Sequence, residues 1–142
     1  MFEHGVSQIL LIEDNALDAD LIRHALLKVE AGAALSIVCN AEEALETIKR
    51  WDAGLPVPVV ILLDLQLPRL NGIKVLSTLK THPRYRILPV VVLTYSSNLE
   101  DMQTTYKLGA NSYILKPTDY DLLTHAISLI HRYWCRLNVH PE

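Results

Sequence analysis

Hydrophobic and polar positions in this chain keep switching between two periods. Compact apolar runs of a few residues recur, and between them apolar residues return every three or four positions. Short β-branched runs predict strands buried on both faces, and the longer spacing predicts amphipathic helices. The predicted strands are Ile9-Leu10-Leu11-Ile12, Leu35 to Cys39, Val59 to Leu63, Pro89 to Leu93 and Ser112 to Leu115. One helix should carry Leu21, Ile22, Ala25, Leu26 and Val29, and the next Ala41, Ala44, Leu45, Ile48 and Trp51. A third should hold Val75, Leu76 and Leu79, a fourth should run from Asn98 to Leu108, and a fifth should follow Lys116-Pro117. Strand and helix patterns alternating from end to end favour βαβ units, hence an α/β protein with a parallel sheet covered on both faces.

Punctuation residues refine these limits. Asn40 with Glu43, and Ser97 with Glu100, are spaced as capping boxes, while Thr118 can cap the last helix with Asp121 three residues on. Pro68 and Asn71-Gly72 mark the loop after the third strand, His82-Pro83 stops the third helix, and Gly109 ends the fourth. That fourth helix has a thin apolar stripe of Leu99, Met102 and Tyr106. The last helix has the opposite character. Leu122, Leu123, Ala126, Ile127, Leu129, Ile130, Tyr133, Trp134 and Leu137 cover more than the one stripe needed to face a sheet, so part of this surface should await a partner.

A length of 142 residues predicts a single domain over 1–142, with a core at about 7–130 and an extended C-terminal helix and tail. The net charge of −3, with dispersed basic residues, argues against a nucleic-acid partner. Asp64 interrupts the strongest apolar stretch far short of the ~20 residues a membrane span needs. Met1 to Ser7 lacks the regions of a signal peptide, so no membrane partner and a cytoplasmic location are expected. Cys39 and Cys135 are too few for a disulfide framework, and Cys39 is expected to pack within its strand. The six histidines, at 4, 24, 82, 125, 131 and 140, show no metal-ligand spacing and are expected on solvent-facing helix positions.

The polar groups that end the apolar runs carry the chemistry. The first strand runs into Glu13-Asp14, the third into Asp64, the fourth into Thr94 and the fifth into Lys116. Ligands of open parallel sheets bind at the carboxyl ends of the strands, so these groups should converge on one spot. Each taken singly has an ordinary explanation as a turn or cap. Three clustered carboxylates, however, must share a proton, pair with cations or bind a metal. All-oxygen ligands select a hard divalent ion, and Mg2+ fits best. An Asp carboxylate can also attack phosphorus and form an acyl phosphate, with the metal and a lysine neutralising the phosphoryl oxygens and Thr94 hydrogen-bonding one of them.

Together these residues resemble the receiver domain of two-component response regulators. The match runs through Leu10-Leu11-Ile12-Glu13-Asp14-Asn15, Ile61 to Pro68 with Gly72, Val91-Val92-Leu93-Thr94, and Gly109 to Pro117. The resemblance implies a flavodoxin-like receiver fold, a five-stranded parallel sheet of order 2-1-3-4-5 flanked by five helices. It implies a single-domain response regulator in which Asp64 is phosphorylated by a sensor histidine kinase or histidine phosphotransfer protein. Mg2+ would be held by Asp14, Asp64 and the backbone carbonyl of Gln66, with Glu13 acting through water. Thr94 would move toward the phosphoryl group and Lys116 would pair with it. Tyr113 would turn inward as the switch aromatic, and Lys116-Pro117 would form a cis peptide.

Within the family, the segment Leu63 to Pro68, the run Ile87 to Thr94 and the aromatic tail at Tyr133-Trp134 are similar to stand-alone receivers paired with bacterial phytochromes and related hybrid kinases. That similarity implies a homodimer through the fourth helix, fifth strand and fifth helix, for which Ile127, Ile130, Tyr133 and Trp134 are the candidate contacts. With no DNA-binding or enzyme domain expected, the output is a binding event, and the chain is not expected to be an enzyme. Two departures stand out: Glu13 where Asp is commoner, and bulky Tyr95 after Thr94. Tyr95 either narrows access to Asp64 or points away without kinetic effect. The alternative functions are an Asp-nucleophile phosphatase or phosphotransferase, disfavoured because Gln66 offers no second carboxylate, and a receiver-like scaffold that takes no phosphate. A dinucleotide-binding protein is disfavoured because no Gly-x-Gly-x-x-Gly follows the first strand.

Overall fold

The computed structural model describes residues 8–67 and 72–141. His4, the segment Met1 to Ser7, Pro68 and Asn71 therefore lie outside the described residues. The strands are β1 (Gln8–Ile12), β2 (Ala34–Val38), β3 (Val60–Leu63), β4 (Val90–Thr94) and β5 (Ser112–Leu115), with α1 (Ala16–Val29), α2 (Ala41–Asp52), α3 (Gly72–Thr81), α4 (Leu99–Leu108) and α5 (Tyr120–His131). All strand pairs are parallel, in the order β2-β1-β3-β4-β5. This is the sheet order that the resemblance implied. A short 3-10 turn at Tyr85–Ile87 and a π-helical stretch at Arg132–Leu137 were not foreseen.

Because successive strand residues point to opposite faces, the central strands serve two cores. Ile9 and Leu11 of β1 pack with Ala19, Ile22, Ala25 and Leu26 of α1 and with Leu123, Ile127 and Ile130 of α5. Leu10 and Ile12 pack on the other face with Ala44, Ile48 and Trp51 of α2 and Val75, Leu76 and Leu79 of α3. Strands β3 and β4 are buried at every position, which is why both read as unbroken apolar runs.

The packing differs from the sequence pattern at several positions. Ile127 and Ile130, candidate dimer contacts by sequence, are core residues facing the sheet and offer a partner little surface; the apolar surplus of α5 lies instead on Leu122 and Leu129, which are 60% and 50% exposed. Tyr133 is exposed and Trp134 half-buried. On α4 the stripe is reversed, since Leu99 and Tyr106 are exposed and Thr105 is the buried residue. Cys39 lies exposed beyond the end of β2 rather than packed in it. His131 is buried, with Nε2 2.7 Å from Glu30 Oε1, because the α1–α5 contact encloses it. The Lys116–Pro117 bond is trans, the form an X–Pro amide favours by about 0.5–1 kcal/mol.

Helix starts follow the hydrogen bonds actually made. Asn40 Oδ1 accepts from the Glu43 N–H at 2.8 Å, the cap that was predicted, while the return bond runs between side chains, with Asn40 Nδ2 donating to Glu43 Oε1 at 3.2 Å. The other two caps shift by one residue: Asn98, not Ser97, accepts from Glu100 and Asp101, and Asp119, not Thr118, accepts from Leu122. Gly109 ends α4 at φ 108°, a left-handed conformation in which a side chain would be strained. Among the described residues no helix is long and apolar enough to cross a membrane.

Candidate functional site

The sheet register brings the strand-end groups together. The ladders of β1, β3 and β5 continue one residue past the strand end: Glu13 N–H donates to Val38 O at 3.0 Å, Asp64 N–H to Ile12 O at 3.0 Å, and Lys116 N–H to Thr94 O at 2.8 Å. Residues 13 and 64 therefore stand side by side, and residue 116 lies on the same carboxyl edge beyond Thr94 of β4. Glu13, Asp64, Thr94 and Lys116 are all buried there. Asp14, one residue beyond Glu13, is exposed at the rim.

Lys116 is the hub. Its ammonium donates to Glu13 Oε1, to Asp64 Oδ2 at 2.9 Å and to Asp18 Oδ2 at 3.0 Å. The remaining oxygens are met by the backbone: Asp64 Oδ1 accepts from Gln66 N–H at 2.9 Å, and Glu13 Oε2 from Asn15 N–H at 3.1 Å. Burial alone would raise the Asp64 carboxyl, but the Gln66 N–H and the Lys116 ammonium outweigh it and hold the group below the usual carboxylate range. Burial lifts Glu13 to about 7 against the pull of Lys116, with the Asp64 charge adding to the lift. Burial likewise works to lower Lys116, and the Glu13 and Asp64 carboxylates overcome it, so the ammonium titrates above its ordinary value. At neutral pH Asp64 is an anion paired with a cation.

Carboxylate oxygens of Glu13, Asp14 and Asp64 lie within 4.8 Å of one another. An all-oxygen set at this spacing fits a hard divalent cation, and three acids around one ammonium leave negative charge for it to neutralise. Gln66 is exposed, with its N–H turned to Asp64.

Thr94 and Tyr113 are not bonded to the carboxylates; both meet Ser96. The buried Thr94 hydroxyl accepts from Ser96 N–H at 3.4 Å, and the Tyr113 hydroxyl donates to Ser96 O at 2.8 Å. Ser96 Oγ also donates to Asp101 in the first turn of α4 at 2.6 Å. Tyr95 folds over the site rather than pointing away, with its ring centroid 4.7 Å from Lys116 Nζ and its hydroxyl donating to Asp18 Oδ1 at 3.2 Å.

Asp18 and Ser96 were missed in the sequence. Asp18 sits in the first turn of α1, where an acid ordinarily reads as a partner of the helix dipole. Ser96 reads as a turn residue, and only its backbone geometry exposes its connecting position.

Gly72 shapes the site from below. A Cβ there would lie 2.6 Å from both Asp64 O and Leu65 Cα, backbone atoms that cannot rotate aside. Gly72→Ala is accordingly expected to displace the Asp64 loop, lowering stability by about 1–3 kcal/mol and weakening divalent-cation binding. Denaturant unfolding and calorimetric titration with Mg2+ check both effects, and a variant unchanged in each would contradict the close approach.

Comparisons with known proteins agree with this geometry. Residues 9–128 match the response regulator receiver domain. The probable methanogenesis regulatory protein FilR2 of Methanothrix harundinacea is 35% identical over 134 residues, 94% of this chain and 86% of the relative. Response regulator Rcp1 of Synechocystis is 33% identical over 128 residues, covering 89% of this chain and 87% of Rcp1. The crystal structure of Mn2+-bound Rcp1 superposes with a TM-score of 0.87 at 31% identity, over 96% of this chain and 99% of that one. That of the phosphorylated cyanobacterial phytochrome response regulator RcpA reaches 0.91 at 32% identity, over 97% of this chain and all of the other. A receiver match across the sheet, with an acidic Glu13, Asp14 and Asp64 cluster at its carboxyl edge, makes this chain a member of the response regulator receiver family of two-component signalling.

Proposed function

We propose that the chain is a phospho-acceptor signalling module in which Asp64 takes a phosphoryl group from the phosphohistidine of a sensor histidine kinase or histidine phosphotransfer protein. The observation that carries this reading is the Asp64 carboxylate, buried and kept anionic by Lys116 and the Gln66 N–H beside two further acids. An Asp64 oxygen attacks phosphorus, the P–N bond breaks, and its electron pair leaves with the imidazole. A bound Mg2+ would neutralise the phosphoryl oxygens, held by Asp14, Asp64 and the Gln66 carbonyl. Both Glu13 oxygens already accept hydrogen bonds from protein groups, which suits Glu13 to act through water. Lys116 exchanges a carboxylate partner for a phosphoryl oxygen.

Thr94 moves toward the new anion and takes its bond from Ser96 with it. Because Ser96 also holds Tyr113 and Asp101, that shift reaches β5 and the start of α4. The likeness to phytochrome response regulators supports a phytochrome-type sensor kinase as the source of the phosphoryl group. A homodimer through α4, β5 and α5 is the output this surface favours. Its contacts are the exposed Leu99, Tyr106, Leu115, Leu122 and Leu129 together with Tyr133, while Leu129 and Tyr133 line a groove of about 410 Å³ against Ser112 and Ile114 of β5.

Incubation with phosphoramidate and Mg2+ should add the mass of one phosphoryl group to the protein and raise its dimer fraction in analytical ultracentrifugation. Chelation of Mg2+ should suppress both. A protein that takes no phosphoryl group under these conditions refutes the acceptor role, and one that is labelled yet stays monomeric refutes the dimer.

A further inference from the structure

Tyr95, Asp18 and Lys116 close a three-membered contact over the phospho-acceptor. The Tyr95 ring covers the Lys116 ammonium at 4.7 Å, its hydroxyl donates to Asp18 Oδ1 at 3.2 Å, and Asp18 Oδ2 accepts from the same ammonium at 3.0 Å. The burial is graded from outside inward: Tyr95 is 45% exposed, whereas the side chains of Lys116 and Asp64 are 2% and 5% exposed. A phenol ring therefore forms part of the wall between solvent and the Lys116–Asp64 pair. We propose that Tyr95, tethered by Asp18, is a cover that keeps water from the acyl phosphate on Asp64 and so sets the lifetime of the phosphorylated protein.

The inference rests on the acceptor role of Asp64. Loss of the phosphoryl group requires a water oxygen to attack phosphorus. The P–O bond to Asp64 then breaks, the carboxylate leaves with the electron pair, and the water's protons pass to phosphate and solvent. Attack must come in line with the leaving carboxylate oxygen, and a ring fixed over the neighbouring ammonium narrows that approach. The cation beneath the ring face and the acid at the hydroxyl hold the cover from two sides, which a freely rotating surface tyrosine would lack. Asp18 and Tyr95 touch neither phosphorus nor water in this scheme, so both are positioning residues.

The test follows the decay of phosphoramidate-labelled protein by intact mass after the donor is removed, in the wild type, Tyr95→Ala, Tyr95→Phe and Asp18→Ala. Tyr95→Ala should lose the phosphoryl group roughly tenfold faster, a change of about 1.4 kcal/mol in the barrier. Tyr95→Phe keeps the ring over Lys116 and should stay much closer to the wild type, while Asp18→Ala, which frees the hydroxyl and one side of Lys116, should fall between. The Mg2+ dissociation constant of the unlabelled Tyr95→Ala protein, read by calorimetry, should match the wild type's. Decay of Tyr95→Ala within twofold of the wild type, or slower, overturns the cover. Equal acceleration in Tyr95→Phe and Tyr95→Ala overturns the part played by the ring. If the wild type takes no label at all, the acceptor role has failed instead, so the two failures are distinct.

Discussion

Replacing Lys116 with methionine is expected to destabilise the metal-free protein by about 3–5 kcal/mol, the cost of removing one partner from a buried ion pair. The side chains of Lys116, Glu13 and Asp64 are 2%, 1% and 5% exposed, so water cannot take over the neutralisation. Methionine keeps the length and apolar stem of lysine, which confines the loss to the charge. The deficit should shrink on acidification, because Glu13, already raised to about 7, can take up a proton once its cation is gone. Saturating Mg2+ should recover part of the loss, by about 2.7 kcal/mol at a hundredfold excess over the dissociation constant. Urea unfolding at several pH values, with and without Mg2+, reads all three effects. A variant within about 1 kcal/mol of the wild type in metal-free buffer would mean that the cluster does not depend on Lys116.

Substituting Asp64 with asparagine should reduce phosphoryl incorporation to background, by roughly a hundredfold or more, while the fold survives. The amide has no anionic oxygen to attack phosphorus. Its carbonyl can still accept from Gln66 or Lys116, and Lys116 retains Glu13 and Asp18. Intact mass after treatment with phosphoramidate and Mg2+ gives the labelling, and a circular-dichroism melt gives the stability. Labelling equal to the wild type's would place the acceptor on another residue.

Much of the candidate site is legible in the sequence. Glu13, Asp14, Asp64, Thr94 and Lys116 each stand at or just past the end of a strand whose apolar run is unmistakable, and parallel strands put their carboxyl ends on one edge. Helix starts were read less well, since Ser97 and Thr118 have the right chemistry for a cap but Asn98 and Asp119 have the right position. The last helix shows a deeper limit. Its nine apolar residues announced a surplus, yet which of them faced the sheet depended on how α5 rolled against α1, and that placed Ile127 and Ile130 inside.

The order of apolar runs and helical spacings, with one polar group at each strand end, was sufficient to determine a parallel α/β fold and the edge where its chemistry lies. Both follow from local periodicity and from the two-faced geometry of strands. The tertiary structure decided which groups actually touch. Lys116 reaches an acid in the first turn of α1, Ser96 joins Thr94 to Tyr113, and Tyr95 closes over the ammonium. These contacts span 17 to 98 positions along the chain except at Thr94 and Ser96, and side chains that meet across such separations leave no periodic signal.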